Sequence, residues 1–419
     1  MPDVDETLRR RLRQMGVTQG LAGLKSDAGP KQPRGRGARA TLPGGERSVG
    51  DDVFWLDLRH YAGDFVHGTY ALADLETVSE EALARLGVPD LGPRPAFLDT
   101  ETTGLAGGAG TLAFEIGAGL WNGDSFDLHL LLMRDPDEEG AALTYLTEVL
   151  SKATGIVTFN GRGFDLPILE TRYVLNRMPP VPLALPHLDL LTTARQLWRD
   201  HLASRRLGVL EEEILGVRRT EQDLDSGLIP WMYRQYLETG DPADMVRVLY
   251  HNEIDVLSLA SLLVHVARMV VTPQDMALAA AEWVGVGRVY DKVGDEPAAI
   301  DAWQVALSGD PGELASDCAA RVWGDVGRRY RRRRAWTEAL AIWDAWEARL
   351  PGAVEPLVEK AKYHEWMTKE LDQAMACTEC ALARAVAHPS GLRRFGTVAE
   401  LQHRRDRLER KLARDRDQG

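Results

Sequence analysis

Asp99 and Glu101 stand one residue apart where the apolar run PAFLDTET ends. Strand side chains repeat every second residue, so the two carboxylates share one face while Thr100 points to the other. Like charges side by side repel unless a cation lies between them, and a metal site is the chemistry that such a pair suits. The plainer alternative is a polar strand end reaching water. Two more acidic stretches follow. In VTFNGRGFDLPIL, residues 157–169, an apolar strand ends at Asn160 and Asp165 begins a helix. Gly161 and Gly163 permit a tight backbone there, and Pro167 is acceptable in a first helical turn. In YHNEIDVLSL, residues 250–259, His251 and Asp255 are four apart on a helix and project from one face.

Those side chains need a scaffold. PAFLDTET, TLAFEIGAGLW, SFDLHLLLM and GIVTFN read as strands, with helices at EEGAALTYLTEVLSKA, DLPILETRYVLN and the long stretch from 243 to 270. Three closely spaced strands predict an antiparallel meander, and a fourth reached through a helix predicts a β-α-β unit, hence a mixed sheet covered by helices. Residues 51–94 read as a leader packed on this domain, with VFWLDLRHYAGDFVHG extended. Residues 1–50 read as a short helix and a Gly, Pro and Arg-rich flexible linker, too poor in apolar residues to fold alone.

After Thr272 the strand patterns stop. WVGVGRVY at 283–290 is answered by WGDVGRRY at 323–330, and the match continues with Ala299 and Ala339, Trp303 and Trp343, Pro311 and Pro351. This resembles the tetratricopeptide repeat, a helix-turn-helix unit, with a degraded third copy around Tyr363 and Ala374. The expected organisation is an α/β domain over 95–271, helical repeats over 272–387 and a C-terminal helix of mixed charge over 388–419.

The 419 residues are 44% hydrophobic and 27% charged, the composition of a globular chain long enough for two or three domains. No apolar run approaches the roughly 18 residues that span a bilayer, no signal peptide is visible at the N-terminus, and a cytoplasmic address without membrane contact is expected. Three cysteines fall too late and too sparsely for a disulfide framework, and Cys377 with Cys380 reads as small core residues of a repeat helix. A net charge of −13 argues against coating nucleic acid by bulk electrostatics, so any such contact must be focused. RRYRRRR at 328–334 is either a solvated face or a patch that tracks phosphates. Glu115 reads as a strand-edge charge, Asp189 as a helix cap and Tyr250 as core.

In order and spacing, Asp99 with Glu101, then Asp165, then Asp255 resemble the four-acid signature of the DEDD exonuclease superfamily. The match covers D-x-E-T-T-G from Asp99 to Gly104 and N-x-x-x-F-D at Asn160, Phe164 and Asp165. HLDLLTTARQLW and RRLGVLEEEILG look like segments of bacterial proteins that join such a domain to tetratricopeptide repeats. The resemblance implies an RNase H-like fold and a 3′ to 5′ exonuclease using two Mg²⁺ or Mn²⁺ ions on a single-stranded DNA or RNA end. Two hard ions about 4 Å apart can generate the attacking hydroxide and stabilise the departing 3′ oxygen. By analogy Asp99 would bridge both ions, Glu101 and Asp255 would complete the first, and Asp165 would hold the second. Thr102, Gly104, Leu105, Asn160 and Phe164 would meet the substrate, Phe164 equally suiting core packing. The last motif departs from the family: Tyr250 is five before Asp255 and His251 is four before it, the reverse of the two known classes. His251 is preferred as general base because it shares a helix face with Asp255 and titrates near neutrality. The repeats would recruit substrate or a protein partner. The competing expectation is a feeble nuclease-like scaffold that acts through those repeats.

Overall fold

Apolar alternation between residues 45 and 189 builds a mixed seven-stranded sheet. Its strands are β1 (Gly45–Val49), β2 (Asp52–Ala62), β5 (Pro95–Thr102), β6 (Ala113–Trp121), β7 (Ser125–Leu132), β8 (Gly155–Thr158) and β9 (His187–Asp189). Two short strands, β3 (Val66–His67) and β4 (Tyr70–Ala71), form a separate hairpin. The sheet order is β1-β2-β7-β6-β5-β8-β9. The computed structural model describes residues 41–104, 110–220, 224–310, 312–387 and 398–418. The expected N-terminal helix, Leu105 and Pro311 lie outside those residues.

Short connections make β5, β6 and β7 antiparallel, whereas β8 returns parallel to β5 after helix α2 (Glu139–Leu150), the crossover that a parallel neighbour requires. Helix α1 (Glu80–Arg85) precedes β5 and is capped by the Ser79 hydroxyl. Two segments are more integral than their sequences imply. β2 runs in register along β7 instead of packing over the sheet, and β1, inside the stretch read as linker, pairs with β2 from Gly45 to Val49. An edge strand is held by backbone hydrogen bonds, so this largely exposed one needs little apolar periodicity.

One face of the sheet packs on α2 and α3 (Asp165–Leu175), the other on a 29-residue helix, α6 (Ala243–Val271). Between them in sequence come α4 (Leu190–Leu197) and α5 (Ile229–Thr239). By length and composition α6 could cross a membrane, contrary to the expectation that no segment approaches that size, but 78% of its apolar window is buried inside the fold. It approaches β6 closely because Gly117 has no side chain: a Cβ there would lie 1.8 Å from the Asn252 side-chain oxygen. This contact fixes the height of the neighbouring His251 and Asp255 over the sheet.

From Ala280 onward the described residues are mainly helical, with hairpins α7–α8 (Ala280–Lys292, Glu296–Ser308), α9–α10 (Ser316–Arg332, Trp336–Arg349) and α11–α12 (Glu355–Tyr363, Leu371–Ala387), then α13 (Val398–Gln418). The forty-residue sequence echo has a steric basis. Gly287 lies against the Trp303 indole and Gly327 against the Trp343 indole, each position leaving no room for a Cβ. The arginine run at 328–334 is engaged in local pairs: Arg328 with Asp325, Arg329 with Asp291, Arg331 with Glu359, and both Arg332 and Arg333 with Glu296. Cys377 and Cys380 both ride on α12 and neither is buried, unlike the core positions expected of them.

Helix α7 docks on α4 at close range. The buried Trp198 indole donates to Glu282 at 2.9 Å, and Asp200 pairs with Arg288 and with Arg321. At Gly285 a Cβ would sit 2.0 Å from the Leu197 carbonyl oxygen. Gly to Ala in a helix normally gains about 1 kcal/mol. Here Gly285→Ala is expected to destabilise by about 2 kcal/mol or more, because two backbones must separate. The check is thermal unfolding of the whole chain, where the variant melts several degrees lower rather than higher.

Candidate active site

Three sequence-distant stretches meet at one cavity of about 1050 Å³, lined among others by Asp99, Glu101, Asp165, His251 and Asp255. Asp99 and Glu101 come from the end of β5, Asp165 from the first turn of α3, and His251 with Asp255 from one face of α6. Several of these acids are held by neighbours that sequence spacing does not reveal. Asn252 donates to Asp99 Oδ2 at 2.9 Å, and the Thr100 hydroxyl donates to Asp165 Oδ1 at 2.6 Å. Asp189 caps α4 by accepting from Leu191 and also accepts from the backbone N–H groups of Asn160 and Arg162. That clamp fixes the loop before α3, where Asn160 adopts a left-handed φ of 68°.

Crowding sets the electrostatics. Burial, then the charges of Asp255, Asp165 and Glu101, hold the Asp99 carboxyl well above the usual range. Burial followed by Glu115 and Asp255 does the same to Glu101. Burial pushes Asp165 up to about 6 against the opposing Thr100 hydrogen bond. The cross-strand partner of Glu101 is Glu115, fully buried, with neither carboxylate oxygen hydrogen-bonded. This corrects the reading of Glu115 as a strand-edge charge: β6 is an interior strand whose nine residues are all buried. The Arg59 charge reaches Glu115, but its guanidinium is bonded to Asp57 and Glu253.

Arg219 is the cation inside the cluster, and no motif points to it. Its Nε and Nη2 grip both oxygens of buried Glu211 at 2.5 and 2.6 Å, Nη2 also donates to Asp255, and Nη1 lies 3.1 Å from His251 Nδ1. Arginine only donates, so Nδ1 accepts and the proton of neutral His251 sits on Nε2. Nε2 in turn faces Glu101 and Asp255, at 3.6 and 3.8 Å. Glu211 opens a short π-helix, Glu211–Leu215, which follows the single turn Leu207–Leu210. Arg195, Arg205, Arg206 and Arg218 also line the cavity. Arg195, Arg206 and Arg218 have no carboxylate partner among the described residues. The acidic chain therefore places arginines at the same cavity as its acids, a local basic character that composition conceals.

The remaining expectations divide. Asn160 and Phe164 line the cavity, Phe164 also packing against the core. Thr102 and Gly104 do not line it: the Thr102 hydroxyl donates to the Gly104 carbonyl at 3.0 Å and braces the turn. Tyr250 is half-buried and off the cavity, its hydroxyl accepting from Thr220 at 3.1 Å. Oxygen donors of this kind suit hard divalent ions, and the buried Glu115 carboxyl beside them has no hydrogen-bond partner among the described residues. Among the described residues, no three Asp, Glu, His or Cys side chains converge on one ion as they stand. Arg219, Asn252 and Thr100 each engage one of these carboxylates, so closure around an ion calls for carboxylate rotation and for Arg219 to leave Asp255.

Residues 96–267 match the family model described as RNase_H superfamily. Over 336 residues the chain is 31% identical to the uncharacterized protein YprB of Bacillus subtilis, an alignment covering 76% of this chain and 78% of that protein.

Glu115 gives a pH test. Its folded carboxyl binds a proton more tightly than in the unfolded chain, where it titrates near 4.5, so folding stability falls as pH rises above that value. Glu115→Gln keeps the shape and removes the ionisation. The variant should be more stable than the parent, by up to about 1.4 kcal/mol for each pH unit between the unfolded and raised folded values. Calorimetry at pH 5.5 and pH 8 checks the sign: the advantage must grow with pH.

Proposed function

We propose, from the premise that this chain belongs through residues 96–267 to the RNase H superfamily, and with YprB to one family, that it is a divalent-metal-dependent 3′ to 5′ exonuclease acting on single-stranded DNA or RNA. One observation carries the reading: acids from three remote stretches line a single cavity together with a set of arginines. Superfamily members typically use divalent metals, and Asp99, Glu101, Asp165 and Asp255 are the residues that would hold them. Ions bound there would activate water and neutralise charge that builds on the scissile phosphate. The chain does the rest. Arg195, Arg205, Arg206 and Arg218 draw a polyanion to the mouth and offset its phosphates. Asn160 and Phe164 stand where a terminal nucleotide would be oriented, and Phe164 offers a ring on which a base can stack. His251 would act as the base through Nε2 only after the Nδ1 contact with Arg219 is relinquished and the ring proton moves from Nε2 to Nδ1.

The helical hairpins resemble tetratricopeptide repeats, and we read their role as recruiting substrate or a protein partner. The second reading is a scaffold with little catalysis, favoured by the present separation of the carboxylates. End-labelled single-stranded DNA and RNA incubated with Mg²⁺ or Mn²⁺ distinguish them. The enzyme reading expects stepwise shortening from the 3′ end, reduced by more than about a hundredfold in Asp99→Asn while oligonucleotide binding persists. Absence of shortening of either polymer under both metals overturns it. Arg205→Ala with Arg206→Ala should weaken binding and flatten the logarithmic salt dependence by about 0.7 for each phosphate that is no longer neutralised.

A further inference from the structure

A second cationic cluster lies far along the chain from the cavity residues and serves no step described so far. It is built on the short π-helix His364–Thr368, whose Glu365 is fully buried. Glu365 accepts from Arg404 Nη1 at 2.8 Å, from Arg407 Nε and Nη2 at 3.1 and 2.7 Å and from Lys411 Nζ at 2.8 Å, so three cations of α13 share one carboxylate. Spaced by three and four residues, they occupy one face of that helix. The next residue, Trp366, is 51% exposed, and Met367 beside it is exposed too. Lys411 Nζ stands 4.1 Å from the centroid of the indole, Lys369 Nζ 5.6 Å and the Arg407 guanidinium 5.7 Å. Neighbouring acids do not balance this charge. Glu359 is paired with Arg331 and Lys362, and Glu370 is bonded to His364 and the Thr368 hydroxyl. Lys369 ends the π-helix in a left-handed conformation, φ 65°, whereas the first π-helix ends in a glycine, Gly216 at φ 70°. A long side chain kept where glycine is the unstrained choice points to a task for that side chain.

Cations in excess around an exposed aromatic ring fit a ligand that offers a π-face and an anionic group in the same repeat unit. We propose that Trp366, with Lys369, Arg407 and Lys411, is an accessory site for single-stranded nucleic acid, a base stacking on the exposed part of the indole while the adjoining phosphate meets the cations. The choice of a nucleic acid over another polyanion rests on the nuclease reading of the cavity. Lys369 pairs with no carboxylate among the described residues, and a lysine over an exposed ring is held weakly on a flexible stem, so it can exchange the ring for a phosphate. Arg407 and Lys411 stay tethered to Glu365 and offer their remaining N–H donors. A duplex keeps its base faces stacked inside, so the site selects an unpaired strand.

The test is a titration of the full-length chain in a chelator, where no strand is cut, with a fluorescent single-stranded oligonucleotide and with its duplex. Trp366→Ala should weaken single-strand binding about tenfold to a hundredfold and hardly change duplex binding, and Trp366→Phe should restore most of the loss. Lys369→Gly should weaken single-strand binding several-fold and flatten its logarithmic salt dependence by about 0.7. The same variant should melt no lower than the parent, because glycine relieves the left-handed position, and a merely structural lysine would not separate affinity from stability in this way. Equal losses on strand and duplex, polyglutamate displacing the strand as well as an unlabelled oligonucleotide does, or Lys369→Gly losing affinity only together with stability overturns the proposal. So does Trp366-dependent attachment to phosphatidylserine vesicles by a chain that binds no strand. Metal-dependent shortening with strand binding unchanged in Trp366→Ala overturns this site and leaves the nuclease reading standing. Trp366-dependent strand binding without shortening under Mg²⁺ or Mn²⁺ supports the site and overturns the nuclease reading.

Discussion

Repulsion among carboxylates at the end of β5 is the constraint on which the other features depend. Asp99, Glu101 and Glu115 lie on one face of two paired strands, and Asp255 is brought down on them by α6. Folding alone would disperse such charges, because burial without a partner is costly. They are kept together by side chains that hold one carboxylate each: Asn252 on Asp99, Thr100 on Asp165 and Arg219 on Asp255. The missing side chain at Gly117 lets Asn252 reach that position at all. The sheet, the long helix and the glycine between them are therefore parts of one device that stores negative charge at a cavity.

Stored negative charge needs nearby positive charge if the cavity is to admit a polyanion. With a net charge of −13 the whole chain would repel one, yet potential at a cleft follows local charges more closely than the total. Arginines along the segment from 195 to 219 supply that local field, and the π-helix at Glu211–Leu215 sets the position of the innermost one. A second π-helix, His364–Thr368, repeats the pattern far along the chain. There the buried Glu365 collects Arg404, Arg407 and Lys411 from α13 and fastens the last helix. In both places widening of the helix accompanies a buried glutamate that organises cations, once for the site and once for stability.

The reach of sequence reasoning follows from how local each signal is. Alternation places Asp99 and Glu101 on one face, a strand ending in a Gly-rich turn places Asp165 at a helix start, and a four-residue spacing pairs His251 with Asp255; all are short-range rules. What escapes is long-range. Nothing at Arg219 announces a partner 36 residues later, and Asn252 to Asp99 spans 153. Glu115 misleads because one acid among apolar neighbours looks like a strand end, whereas strand order, which makes β6 interior, is a property of the whole sheet. β1 is hidden for the complementary reason: an exposed edge strand is specified by its partner's backbone and leaves little trace in its own side chains.

The link between the cavity and the helical hairpins is continuous and stiff. Asp189 grips the loop that aims Asp165 and caps α4; α4 carries Arg195 to the cavity and ends at Trp198. The Trp198 indole is buried against Glu282 of α7, whose Gly285 lies against the Leu197 backbone, and Asp200 ties α7 to α9 through Arg288 and Arg321. No flexible joint interrupts this series of buried contacts among the described residues, and one apolar core runs from Phe54 to Trp346. The first two hairpins are consequently held in one orientation relative to the cavity. A flexible tether leaves the orientation of what it joins undefined, whereas buried contacts of this kind also fix the direction in which the hairpin surface faces relative to the cavity.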